Sequence, residues 1–175
     1  GIPFSDPIAE GPVIQEADIR ALSGGVTTDD IFDMVKKLRE KTEIPLVFMT
    51  YLNPVFHYGY EAFFERCQDV GIDGIIIPDL PFEEKEEVDV VASRYGIDLI
   101  SMIAPTSKER IRKIAKGAKG FLYVVSSMGV TGERTNITTD IGGMLKEIRS
   151  VSSVPAAVGF GIHTPDQAAE ISKTA

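Results

Sequence analysis

Cysteine is almost missing from the 175 residues: Cys67 stands alone. That excludes an internal disulfide and any multi-cysteine metal site. Its place on an apolar helical face predicts a buried structural thiol. His57 and His163 match no metal-ligand spacing and read as surface residues. No apolar run approaches the ~20 residues that span a bilayer. No signal peptide is expected either, and a reducing cytoplasm fits both features. Positive charge is in deficit, 18 Lys and Arg against 26 Asp and Glu for a net −8. Such a field repels nucleic acid and anionic membrane, so a phosphorylated ligand would have to be held by local dipoles. No linker or low-complexity segment divides the chain, and 43% hydrophobic residues are enough for a substantial core. A single domain, 1–175, is expected.

What is present begins with GIPFSDPIAEGPVIQ, Gly1 to Gln15. Prolines that fix φ and glycines that permit φ > 0 make this run read as a rigid shaped loop rather than a helix or strand. Rigid loops that hold carboxylates suit chemistry. Composition alone equally admits a surface turn with two solvated acids.

The chain then alternates. A short polar helix around Glu16 to Leu22 ends at Gly24 and Gly25. Thr27 or Thr28 caps a helix with Asp29 and Asp30 in its first turn, and Ile31, Met34, Val35 and Leu38 form its apolar stripe. The nearly continuous apolar run Ile44 to Thr50 reads as a strand buried on both faces. Further helices carry Phe63, Cys67 and Val70; Val88, Val91, Ala92 and Tyr95; Ile111, Ile114, Ala115 and Ala118; Ile141, Met144, Leu145 and Ile148. They lead to the strands DGIIIPD, IDLISMI, FLYVVSS and PAAVGFG. A last helix is capped by Thr164, with Pro165 at its first position, and carries Ala168, Ile171 and Ala175.

Strands alternating with helices give an α/β fold with a parallel sheet. Periodicity does not separate an open doubly wound sheet from a closed barrel. Two observations favour the barrel. Polar or special residues sit at every strand's carboxyl end: Tyr51 and Asn53, Asp79, Pro105 and Thr106, Ser126 and Ser127, Gly161. No glycine-rich dinucleotide fingerprint follows a strand. A complete (β/α)8 barrel needs about 250 residues, so an incomplete TIM barrel is expected, lacking one or two front strands and the last one.

The opening stretch resembles the signature loop of the tryptophan synthase alpha chain, GxPxSDPxADGPxIQ, with Glu10 where that family has Asp. PLVFMTYLNPVFHYG resembles the family's third strand and following loop, GIDGIIIPDLP its fourth strand, GFLYVVSSMGVTGERTN its sixth strand and mobile loop, and VGFGIHTPDQ a phosphate-binding turn. The resemblance implies a lyase that cleaves indole-3-glycerol phosphate to indole and glyceraldehyde 3-phosphate, with no metal or cofactor of its own. Glu10 then takes the catalytic carboxylate role beside the indole N–H. Tyr51, Ile76, Tyr123, Thr131, Gly132, Phe160 and Gly161 would contact substrate. The family's principal acid/base, a glutamate, would lie two residues before Gly1.

The resemblance also implies a pyridoxal-phosphate beta subunit as partner in an alpha2beta2 assembly, met by Pro3, Asp6, Asn53 and Asp79. Other readings exist for these residues. A lone Asp before a helix, as Asp79 is, commonly caps that helix. The block Glu83 to Glu87 reads as a solvated face, and Arg134 as a solvated loop cation. With one extra methylene at position 10, the protein could instead serve as a docking activator of its partner. A third possibility is another phosphate-binding barrel such as indole-glycerol-phosphate synthase, but no strand end carries the lysine that enzyme needs. The piece as given is expected to be inactive.

Overall fold

The computed structural model describes residues 1–125, 140–159, 161–162 and 164–174. They form two compact units, one of Gly1–Ile8 with Pro12–Leu99 and one of Ala9–Gly11 with Ile100–Ala175.

In the first unit α1 (Pro12–Ser23), α2 (Thr28–Arg39), β1 (Val47–Met49), α3 (Leu52–Tyr58), α4 (Tyr60–Val70), β2 (Gly74–Ile76), α5 (Glu86–Arg94) and β3 (Asp98–Leu99) follow in order. The strands pair in parallel as β1-β2-β3, with Phe48 beside Ile75 and Ile75 beside Leu99. Parallel neighbours need a crossover, and α3 with α4, then α5, supply them. The core joins Phe48, Ile75 and Leu99 to Phe32 and Val35 of α2, Phe63, Phe64 and Cys67 of α4, and Val88 and Ala92 of α5. Phe32 meets Phe48, Tyr58 and Phe63 edge-on with ring centres 5.4–5.7 Å apart, the arrangement that aromatic quadrupoles favour. Cys67 is buried as expected, and desolvation pushes its thiol up to about 12.

The second unit holds β4 (Ser101–Ile103), α6 (Lys108–Lys116), β5 (Leu122–Val125), α7 (Ile141–Arg149), β6 (Ala156–Gly159) and α8 (Pro165–Ser172). Its strands are parallel in the order β4-β5-β6. Ile111, Ile114 and Ala115 of α6 and Ile141, Met144, Leu145 and Ile148 of α7 are buried, as the periodicity predicts, but Ala118, expected on the same stripe, lies beyond the end of α6 and is half-buried. Ser107, Asp140 and Thr164 cap α6, α7 and α8 by accepting from backbone N–H groups. The one buried charge on α7, Glu147, accepts from Arg112 Nε at 2.7 Å and pairs with Lys108 Nζ at 3.2 Å.

Several expectations need correction. Pro12 to Gln15 belong to α1 rather than to the opening loop, because a helix's first turn tolerates proline. In α2 the buried residues are Phe32 and Val35, while Met34 and Leu38 are 48% and 42% exposed. Two overlapping stripes run along this helix, and the one bearing the large phenyl ring faces the core. The strand expected from Ile44 is ordered as β1 only from Val47, and Ile44 is exposed. The segment IDLISMI splits at Ile100 into β3 and β4, which pair in different sheets. The segment after Tyr51 is not a loop: it forms α3, with Asn53 and Pro54 in the first turn and Gly59 (φ +92°) ending it. The expected stripe of α8 is not buried, since Ala168 is exposed and Ile171 half-buried. Ala175 lies outside the described residues.

Arg39, at the end of α2, ties the amino ends of the first two strands together. Its Nε donates to Gly71 O at 2.7 Å, one Nη to Ile44 O at 2.6 Å and the other to Asp73 Oδ2 at 2.5 Å. Asp73 in turn accepts from Leu46 N–H at 2.7 Å. Arg39→Ala removes these bonds and should cost about 1 kcal/mol, chiefly through the half-buried bond to Gly71 O, since water reaches Ile44 O and Asp73; urea unfolding reads it. Arg39→Lys should recover only part of the loss, because an ammonium lacks the planar fork. A parent-like midpoint for Arg39→Ala would refute the role.

Lys108 first, and then Arg112, hold the Glu147 carboxyl below its ordinary 4.5. A carboxylate with a lowered native value stabilises the fold above its unfolded value and loses that effect as pH falls through the native one. The stability gap between the parent and Glu147→Gln should therefore be present at neutral pH and close below pH 4.5. Urea unfolding at a series of pH values checks this, and a pH-independent gap contradicts it.

Candidate active site

In the first unit the opening residues lie along the end of β1. Ile2 N–H donates to Met49 O at 3.0 Å, and Thr50 Oγ1 donates to Ile2 O at 3.4 Å. Ile2 is buried in the core, which fixes where Pro3 and Phe4 leave the sheet. The Phe4 ring then packs on Tyr51 with centres 5.6 Å apart. Tyr51 is only 4% exposed, and Ile76 at the end of β2 is buried too. Ile75 and Ile77 belong to the core beneath the helices, and Ile76 does not. Strand alternation thus turns Ile76 to the sheet's other face.

The residues expected to meet a partner differ in exposure. Asp6 and Asn53 are exposed, and Pro3 and Asp79 are half-buried. Asp6 accepts the Ser5 hydroxyl at 2.5 Å. Asp79 does cap a helix, but not the one that follows it. Its Oδ1 accepts from Leu52 N–H at 2.9 Å, in the first turn of α3. Only the strand pairing brings these two together, so residue spacing carried no sign of it.

In the second unit Glu10 is 9% exposed. Tyr123, on β5, has its phenol pushed above the ordinary 10.0, mainly by burial and then by the negative charge of Glu10. A carboxylate largely withheld from water thus acts on a phenol that stays protonated through the neutral range. Tyr123 also rests against β6: a Cβ on Gly159 would fall 2.6 Å from its Cζ and 3.0 Å from Cε2 and would collide with the hydroxyl as well. Gly159 therefore ends β6 as a seat for the tyrosine ring, a role not visible when GFG is read as a phosphate turn. Gly161 has φ +72°, a left-handed turn that glycine adopts without strain. Thr131, Gly132 and Phe160 lie outside the described residues, as do Ser126, Ser127, Arg134 and His163. His57 is exposed, as expected.

A separate cleft of about 230 Å³ opens between α6 and α7, lined by Pro105, Thr106, Lys108, Asp140 and Glu147 among others. Among the described residues no group of three His, Cys, Asp or Glu could hold a metal. No described helix is long and apolar enough to cross a membrane.

Parallel strands joined by helices, with acid, aromatic and glycine residues at the strands' carboxyl ends, define an α/β protein of the (β/α)8-barrel class, here an incomplete barrel. The chain matches, over residues 1–175, the family model described as tryptophan synthase alpha chain, and it belongs to that family. An alpha chain from Lacticaseibacillus casei is 55% identical over 168 residues, 96% of this chain and 63% of that relative. One from Alkaliphilus metalliredigens is 52% identical, covering 93% of this chain and 61% of its own length. Among solved structures, subunit alpha from Campylobacter jejuni is similar at 39% identity and a TM-score of 0.86, over 98% of this chain and 69% of that one. The tryptophan synthase complex from Pyrococcus furiosus is similar at 33% and 0.87, over 99% and 69%. The chain thus spans less than two thirds of the length of these two curated relatives.

Gly159→Ala should destabilise the fold by about 1–3 kcal/mol through overpacking against Tyr123. In a double-mutant cycle with Tyr123→Ala, the double variant should be less destabilised than the sum of the singles. Strict additivity in urea unfolding would show that the two residues do not touch.

Proposed function

We propose that this chain carries the catalytic carboxylate of a lyase that cleaves indole-3-glycerol phosphate to indole and glyceraldehyde 3-phosphate. The observation that supports this best is Glu10, nearly buried and acting electrostatically on Tyr123. In the reaction the indole C3 gains a proton and positive charge develops at the ring nitrogen. The carbinol O–H then loses its proton as the C–C bond breaks, and that electron pair returns to the ring. Glu10 lowers the barrier by facing the ring N–H while the charge is present, and a fixed carboxylate withheld from water does this better than a hydrated one. Tyr123, protonated, lines the same region without adding a second negative charge.

By family position Tyr51 and Ile76 supply apolar wall, Thr131 and Gly132 belong to a loop that covers the ligand, and Phe160 and Gly161 form part of a phosphate turn. The group that moves the protons is not assigned to any of the 175 residues. Pro3, Asp6, Asn53 and Asp79 are read as the surface toward a beta subunit in an alpha2beta2 assembly. Pyridoxal phosphate belongs to that partner, and this chain is read as needing no cofactor. The cytoplasm is the inferred compartment.

Indole release by the whole protein should fall about a hundredfold or more in Glu10→Gln, with Glu10→Asp retaining activity. In the Gln variant the Tyr123 phenol should titrate at lower pH than in the parent, yet still above 10.0 because burial remains. An unaffected Gln variant removes Glu10 from the mechanism. A parent inert as a lyase that still raises turnover of the beta subunit supports the docking-activator reading.

A further inference from the structure

Tyr51 is the residue just before α3, and its side chain caps nothing in that helix. The groups on either side of it are both satisfied from the neighbouring strand. Thr50 N–H donates to Ile76 O at 3.1 Å, and Leu52 N–H donates to Asp79 Oδ1 at 2.9 Å. The tyrosine is thus suspended between two hydrogen bonds to one short segment, the end of β2 and the three residues after it. Phe4 closes against its ring at 5.6 Å. The first of these bonds is backbone to backbone, and no side-chain truncation removes it. The second depends on one carboxylate.

We infer that Asp79 is a positioning residue for Tyr51: by capping α3 from the β2–α5 loop, it makes that loop and the Tyr51 ring move as one piece. This rests on the reading of Tyr51 as part of the substrate wall. Helix α3 has seven residues and no side-chain cap of its own, so an acceptor supplied from outside decides whether its first turn holds. Asn53, exposed, sits one residue beyond the capped amide. A partner that pulls on Asp79 or presses on Asn53 therefore changes the same hydrogen bond and through it the aim of Tyr51. Communication between an outer surface and the ring needs no long pathway here, because one bond separates them.

The test uses the whole protein with Asp79→Ala and Asp79→Asn, without any partner. Removing the acceptor should speed hydrogen exchange at the Leu52 amide by roughly two- to thirtyfold, the range that loss of an N-cap gives. It should also raise KM for indole-glycerol phosphate severalfold while kcat changes less, since the ring is misplaced and the carboxylate chemistry is not. Asp79→Asn keeps an acceptor oxygen at the same place and should stay near the parent in both readouts. Asp79→Leu, which also lacks an acceptor and is closer to Asp in size, serves where Asp79→Ala does not fold. Unchanged exchange at Leu52, or unchanged KM with an effect only when the beta subunit is added, overturns the inference. Should the parent release no indole, the functional reading fails, while the exchange measurement and indole binding to the same variants still decide the role of Asp79.

Discussion

Parallel strands of two to four residues cannot satisfy their own ends, and this one constraint shapes much of the structure. Each backbone N–H or C=O left over at a buried strand terminus costs free energy unless something meets it. Near the strand ends of the first unit long-range side chains meet such groups, half-buried at Gly71 and Leu52 and open to water at Ile44 and Leu46. At the amino ends, Arg39 takes the carbonyls of Gly71 and Ile44, and Asp73 takes the amide of Leu46. At the carboxyl end, Asp79 takes the amide of Leu52. These residues come from different helices and loops, so each bond also fixes where one β–α unit sits against the next within the first unit.

The two ends serve different purposes. Arg39 and Asp73 form a charge-assisted pair with additional backbone partners, which is the arrangement that favours stability. Asp79 ends in a single bond to a short helix, next to residues read as substrate wall and partner surface. In barrel proteins the carboxyl ends of strands carry function and the amino ends carry stability, and the division of polar devices in this chain follows the same line.

How far the sequence revealed this depends on the range of the interaction. Local patterns were legible. The caps at Thr27 (read as Thr27 or Thr28) and Thr164, the buried faces of α4, α6 and α7 and the run of parallel strands all follow from residues a few positions apart. What stayed hidden depends on contacts between distant residues. Asp79 looked like a cap for its own downstream helix and caps α3 instead, 27 positions back. Two stripes of α2 were equally periodic, and only packing against Phe48 and Phe63 selects the face with Phe32. Helix α3 escaped notice because Asn53 and Pro54 signal a turn, although both are also compatible with a first helical turn. At the site, the acid of the opening loop was legible from its motif, but its influence on Tyr123 and the seating of that ring on Gly159 were not.

The two tyrosines are aimed by opposite means, and the difference has consequences for tolerance. Tyr51 is held by what is present: an acceptor on either side and an aromatic neighbour. Any group that accepts a hydrogen bond at the place of Asp79 can keep it there. Tyr123 is held by what is missing, since the space its ring fills is the space a side chain at position 159 would need. Any residue other than glycine there forces the ring to shift. Positioning by a hydrogen bond, as at Tyr51 in the first unit, accepts variation that keeps an acceptor, whereas positioning by an absent Cβ, as at Tyr123 in the second, does not. On the proposal above, an exchange at Asp79 that keeps an acceptor preserves the hydrogen bond to Leu52, whereas a Cβ at position 159 displaces the Tyr123 ring.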